Sequence, residues 1–286
     1  MDPCLPQELE RIIFIYACHH HDQPPTNLFL VAKRVREWLL PIVFKVVIIN
    51  RSLSSPIKFS SLHQFQTYGP HIQHFLLVQR SCDGLLEERN EYLAQCPNIT
   101  NLAFWWLPLA ESRRLDSILH MPKLTHLSIT LENLLALISP AQGGQSDSSM
   151  TALPPHPPLF PNLTHLDLLR FPNDSSQSNT DVIIMIAREV PHLTHVTCQP
   201  TLGASFILKL ILHEFKHLKA LIWRSPGSSR VMEGRVSPVD DDRIVFIAWH
   251  RQVDWRDAAT GNGLGIWEFA DEVLAKRAEG KQNKAG

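Results

Sequence analysis

Three segments decide how this chain reads: Leu124-Thr-His-Leu-Ser-Ile129, Leu163-Thr-His-Leu-Asp-Leu168 and Leu193-Thr-His-Val-Thr-Cys198. Each runs apolar-x-x-apolar-x-apolar. The same frame fits Ile72-Gln-His-Phe-Leu-Leu77, Ile99-Thr-Asn-Leu-Ala-Phe104 and Leu218-Lys-Ala-Leu-Ile-Trp223. In five of the six a proline stands two residues before the first apolar position (Pro70, Pro97, Pro122, Pro161, Pro191); Lys216 holds that place in the sixth. Alternation over so few residues predicts a short strand with every second side chain inward. Between these strands, residues 85–94, 111–120, 181–190 and 204–215 space apolar side chains three and four apart, which predicts helices. The unit recurs about every 27 residues, a period typical of stacked repeats. One interval is longer because residues 139–159 insert a Gly-, Ser- and Pro-rich stretch that reads as a surface insertion. One strand and one helix cannot bury each other alone, but stacked units share a continuous core. The expectation is an α/β fold with parallel strands on one face and helices on the other.

Composition narrows the function classes. Of 286 residues, 44% are hydrophobic and 19% charged, enough apolar matter for a large core. Lys+Arg 27 against Asp+Glu 28 leaves a net charge of -1, so neither nucleic acid nor a membrane surface is an expected partner. The five cysteines (Cys4, Cys18, Cys82, Cys96, Cys198) form no C-x-x-C pair, which fits reduced thiols inside a cell. Met1-Asp2-Pro3 lacks the basic and apolar regions of a signal peptide. The longest apolar run, residues 39–49, is interrupted by Pro41 and Lys45 and is too short to span a bilayer. A cytoplasmic or nuclear protein is expected.

Ahead of the repeats, Leu5-Pro-Gln-Glu-Leu-Glu-Arg-Ile-Ile-Phe14 places Leu9, Ile12, Ile13 and Tyr16 on one helix face, with Pro6 and Glu8 in the first turn. A polar loop follows, then Val31-Ala-Lys-Arg-Val-Arg-Glu-Trp-Leu-Leu-Pro41-Ile-Val-Phe44. These segments resemble the F-box. Leu5, Pro6, Glu8, Leu9, Ile13 and Phe14 match its opening, Val31, Lys33, Arg34 and Arg36 its middle, and Trp38, Pro41 and Phe44 its close. Ala32 and Val35 depart from the usual cysteine and tryptophan. The L-x-x-L-x-L frame resembles leucine-rich repeats, without the Asn or Cys that normally follows. Residues 254–277, with Trp255, Gly263, Trp267 and a basic-ended helix, resemble the ending of fungal F-box proteins.

The resemblance implies three parts: an all-helical F-box (1–48), an irregular leucine-rich array forming a solenoid (49–237, insertion 139–159), and a C-terminal cap and tail (238–286). It implies a non-catalytic substrate-recognition subunit. Leu5, Pro6, Leu9, Ile12, Val31, Lys33 and Trp38 would dock on the Skp-type adaptor of a cullin (SCF) ubiquitin ligase. The repeats would bind a target protein. Ile13 and Tyr16 are expected to pack the helical domain instead. Two other readings stay open: a repeat-based interaction scaffold without a ubiquitin role, and a repeat module whose F-box has decayed.

On the strand face, the residue before each second apolar position forms one expected column: His74, Asn101, His126, His165, His195 and Ala220. With Trp105, Asp167 and Arg224 it gives the candidate target-binding face. Trp105 reads equally as a recognition anchor or as a packing residue. The histidines read as a ladder or as locally bonded rings of a recurring Thr-His-Leu habit. His213-Glu-Phe-Lys-His217 matches the zinc-hydrolase H-E-x-x-H, but the repeat phase ends the helix inside it, making a zinc enzyme the weakest reading. Cys18-His-His-His-Asp22 crowds metal-like side chains into one loop, where they cannot all face one ion. No cofactor, metal site or catalytic residue is expected.

Overall fold

The computed structural model describes residues 5–19, 26–50, 62–78, 87–105, 116–138, 157–169, 178–198, 204–225, 239–248 and 251–285. Among the described residues eight strands form one all-parallel sheet in strict sequence order. They are β1 (Val46–Asn50), β2 (His74–Val78), β3 (Asn101–Trp105), β4 (His126–Ile129), β5 (His165–Leu168), β6 (His195–Cys198), β7 (Ala220–Ser225) and β8 (Ile244–Ala248). The helices are α1 (Gln7–His19), α2 (Lys33–Val43), α3 (Leu62–Tyr68), α4 (Glu87–Ala94), α5 (Leu131–Ile138), α6 (Ser178–Glu189), α7 (Ala204–Glu214), α8 (Arg251–Thr260) and α9 (Ile266–Ala285).

The recurring prolines have a local cause. Each helix or turn passes to its strand through a tight turn closed by an N–H donated to a carbonyl three residues back. Ile99 bonds Cys96 O, Leu124 bonds Met121 O, Leu163 bonds Phe160 O, and Leu193 bonds Val190 O. Pro97, Pro122, Pro161 and Pro191 occupy the second position of these turns, where a φ fixed near −65° suits the geometry and no N–H is needed. Lys216 sits in the equivalent turn, closed by Leu218 N–H on Phe215 O. The strand register follows from the repeat. His74 pairs with Asn101, Asn101 with His126, His126 with His165, His165 with His195, and His195 with Ala220.

The frame's apolar positions face the helices. Leu102, Phe104, Leu127, Ile129, Leu166, Leu168, Val196 and Leu221 join Leu134 of α5, Ile183 and Ile186 of α6, and Leu208 and Ile211 of α7 in one continuous core. Burial of such a side chain contributes about 1.5–3 kcal/mol, so the stack is held by its whole length rather than by any one unit.

Several expectations need correcting. Of the segment expected to be helical at 111–120, only a 3-10 helix, Asp116–His120, is described; residues 111–115 lie outside the described residues. Strands β1 and β8 lengthen the array beyond the six units read from the sequence, and helix α5 fills part of the long interval between β4 and β5. The expected boundary at residue 48 falls inside β1, because Val46–Asn50 pairs with β2; the helical unit ends near Phe44. The insertion lies outside the described residues except at 157–159, where Leu159 N–H donates to Glu189 Oε2. Among the described residues no helix is long and apolar enough to cross a membrane.

Candidate interaction surfaces

The N-terminal helices build a small core of their own from Cys18, Val35, Leu39, Val43 and Phe44, with Phe14, Leu28, Phe29 and Trp38 packed on it. Arg34 grips Glu10 through two parallel bonds, Nε to Oε2 at 3.1 Å and Nη2 to Oε1 at 2.9 Å, tying α2 to α1. Phe44 stacks on Tyr68 with ring centroids 4.1 Å apart, which joins this unit to α3.

That arrangement turns the apolar stripe of α1 outward. Leu9, Ile12, Ile13 and Tyr16 recur at helical spacing, and Ile12 (60%), Ile13 (55%) and Tyr16 (65%) are largely exposed. Leu5, Leu30 and Val31 add further exposed apolar surface, and Pro6 is exposed beside Leu5. The expectation for Ile13 and Tyr16 is therefore corrected: α1 packs through Phe14 and Cys18, on the opposite face of the helix. Lys33 is exposed beside Glu37, and Trp38 is half-buried against the helical core.

The opposite sheet face is closed. Helix α8 lays Trp255 and Ala259 over Leu76, Ala103 and Trp105, and Trp255 Nε1–H donates to Asn101 Oδ1 at 3.3 Å. Helix α9 packs Ile266 and Ala270 on Ala220, Ile222, Val245 and Ile247. At its far end Arg277 bonds the carbonyls of Asp242 and Ile244, and Lys281 pairs with Asp242. The expectation of an open target-binding face is corrected accordingly. Trp105, Asp167, His195 and Arg224 are buried, and His74, His126 and His165 are partly so. The segment read as an end cap returns along the sheet instead, because the sheet's second face is apolar enough to need a cover.

Beneath this cover the three Thr-His pairs form a ladder. The His126 and His165 rings stack at 4.0 Å, and those of His165 and His195 at 4.4 Å. Thr125, Thr164 and Thr194 each donate their hydroxyl to the carbonyl of the preceding rung: Thr100, Thr125 and Thr164. Each hydroxyl oxygen also lies 2.8 Å from the Nδ1 of the next residue's ring. Each of those carbonyls also accepts two backbone N–H groups, so the hydroxyl and Nδ1 pair in either tautomer, the shared proton carried by one or the other. The ladder and the local bond are thus both present. Burial and neighbouring imidazoles push His126 down to about 4 and His165 to about 2. His74 is held at about 4 by burial and by Lys45; Gln73 precedes it where the others have threonine, and its Nδ1 is buried with no partner among the described residues.

Asp167 and Arg224 meet across the sheet, Nη2 to Oδ1 at 2.9 Å, and Arg224 Nη2 also donates to Leu168 O at 2.8 Å. Reading the strands alone could not reveal Asp271, whose Oδ1 lies 3.0 Å from His195 Nε2, because only the return of α9 brings it there. Its signal was the Trp267–Asp271 spacing on one helical face. The H-E-x-x-H string is divided: α7 ends at Glu214 and His217 lies in the following turn. Burial pushes Cys96 and Cys198 up to about 12, which removes them as nucleophiles. The sequence matches neither a protein-family model nor a curated protein.

Proposed function

We propose that this chain is a non-catalytic substrate receptor of an SCF-type ubiquitin ligase, docking on a Skp-type adaptor through its N-terminal helices. The observation that carries the reading is the outward apolar stripe of α1, continued by Leu5 and Val31, in a unit that already has a core. Leu5, Pro6, Leu9, Ile12 and Val31, which the F-box resemblance assigns to the adaptor, are exposed. Apolar area left in water at that density is a docking surface, and covering each large side chain contributes about 1.5–3 kcal/mol. Lys33 stands at the rim, and Trp38 supports the surface from below.

Target recognition would use the repeats, but not the sheet face as it stands, since α8 and α9 occupy it. The reading needs no cofactor and places the protein where SCF ligases work, in cytoplasm or nucleus. Co-purification with the adaptor tests it. The full chain should retain the adaptor, and Leu9→Asp with Ile12→Asp should weaken retention about tenfold or more, about 1.4 kcal/mol. Both side chains are exposed, so the fold should survive, as circular dichroism would verify. Equal retention by the variant, or none by the parent chain, would overturn the reading. Ubiquitylation of a captured partner separates a receptor from a scaffold.

A further inference from the structure

We propose that α9 is an acid-released strap, closed over the sheet at neutral pH and lifted from the histidine ladder when the ladder takes up protons. The proposal stands on contacts independent of any ligase role. Trp267 lies against all three stacked rings: 5.0 Å from His165, 6.1 Å from His195 and 6.4 Å from His126, centroid to centroid. One turn on, Asp271 meets His195 Nε2.

The ladder's geometry decides where added protons go. Each Nδ1 is engaged by a threonine hydroxyl, so the ring edge through which an added charge would be solvated is Nε2. The rings lie within 16° of parallel and share one anchoring pattern, so the Nε2 edges of His126 and His165 point the way that of His195 does, toward α9. Protonation would place charges side by side at about 4 Å beneath an indole, where water is scarce and repulsion exceeds that found in bulk water.

The charged and titratable groups around the column are few. Lys45, preceding β1, faces His74; Lys219, preceding β7, faces His165; His74 faces His126 across β3; and Asp271 faces His195 from α9. Asp271 can balance one imidazolium, not three. Further protons need water, and water reaches the Nε2 edges only if α9 lifts.

Closed, the ladder refuses protons that an open imidazole accepts near 6.5; opening therefore takes up protons, and its equilibrium constant rises as pH falls. Ile266 and Ala270 make apolar contacts with the sheet, and Arg277 bonds backbone carbonyls. They hold the strap at neutral pH and set how far acid must push.

Hydrogen exchange of the full chain at pH 7.5 and 5.0, corrected for the intrinsic rate, tests this. Amides of residues 266–277 should lose protection about tenfold or more at pH 5.0 while those of β4, β5 and α6 keep theirs. The double variant His126→Asn, His165→Asn should keep α9 protected at pH 5.0. Should that variant not fold, Asp271→Asn, which removes the charge facing His195 from a side chain that is 59% exposed, should shift release to higher pH. Unchanged protection of α9, loss of α9 together with the strands, or release in Asp271→Asn at the pH of the parent chain would each overturn the proposal.

Discussion

Gly69 opens the 3-10 turn before β2, and a Cβ there would stand 2.2 Å from Gln95 O and 2.9 Å from its carbonyl carbon. Both are backbone atoms, so the turn and the end of α4 would have to part. Gly69→Ala should cost about 1–3 kcal/mol, read as a lower urea midpoint with unchanged slope; an unchanged midpoint would show that the turn yields freely. Asp167 and Arg224 make a second residue-scale case. Their pair is buried, with Thr197 Oγ1 and Arg224 Nε lacking partners among the described residues. Asp167→Ala would strand a buried guanidinium and should destabilise the protein by about 3–5 kcal/mol. Adding Arg224→Met should recover much of that loss in the same unfolding assay; no recovery would mean that Asp167 acts through something other than the pair.

Among the elements, the rungs linking successive strands are the most constrained. Thr164 uses one hydroxyl twice, on Thr125 O and on His165 Nδ1. Thr164→Val preserves shape but orphans that ring nitrogen, and it should destabilise by about 1–3 kcal/mol. The NMR shift of His165 Nδ1 should report the loss; an unaltered shift would show that the hydroxyl is not its partner. Six of the eight described strands were legible because the apolar-x-x-apolar-x-apolar frame carries the alternation and, in five of them, a proline marks the turn. β1 and β8 were not, since Val46-Val-Ile-Ile49 and Ile244-Val-Phe-Ile247 are buried on both faces and lose the period-two signal. α5 carried a readable stripe in Leu131, Leu134 and Ile138, yet it follows β4 after a single residue, Thr130, which blurs the change of period.

For the whole molecule, pH is the lever. His74, His126 and His165 are held neutral by folding, with values depressed from 6.5 to about 4, about 4 and about 2. Their contribution is complete above pH 6.5 and is lost as pH falls from there toward 4. In that window the unfolded chain binds protons that the folded chain refuses, at about 1.4 kcal/mol per pH unit for each histidine. Asp241, held low by Arg243, adds a loss only below its usual 3.8. The urea midpoint should therefore fall steeply between pH 6.5 and 5; a flat profile would mean that the imidazoles are open to water. Ending the chain before Ile266 should expose Ala220, Ile222, Val245 and Ile247 and raise binding of a hydrophobic dye, with the strands still folded. A truncated chain that binds no more dye than the full one would show that α9 covers little.

What the sequence by itself determined is the periodic part: the turn prolines, the strand register and the histidine column follow from residues within one unit and its nearest neighbours. Such contacts repeat, so their signal repeats. What only the tertiary structure decided is which surfaces stay open. The stripe of Leu9, Ile12, Ile13 and Tyr16 reads identically whether buried or exposed, and its outward turn depended on α2 packing against Phe14 and Cys18 instead. The sheet face reads as free until α8 and α9 return over it, through contacts such as Trp255 with Asn101 and Asp271 with His195 that join residues 154 and 76 positions apart. Periodicity encodes which side of an element is apolar; it carries no information about which distant element will cover that side.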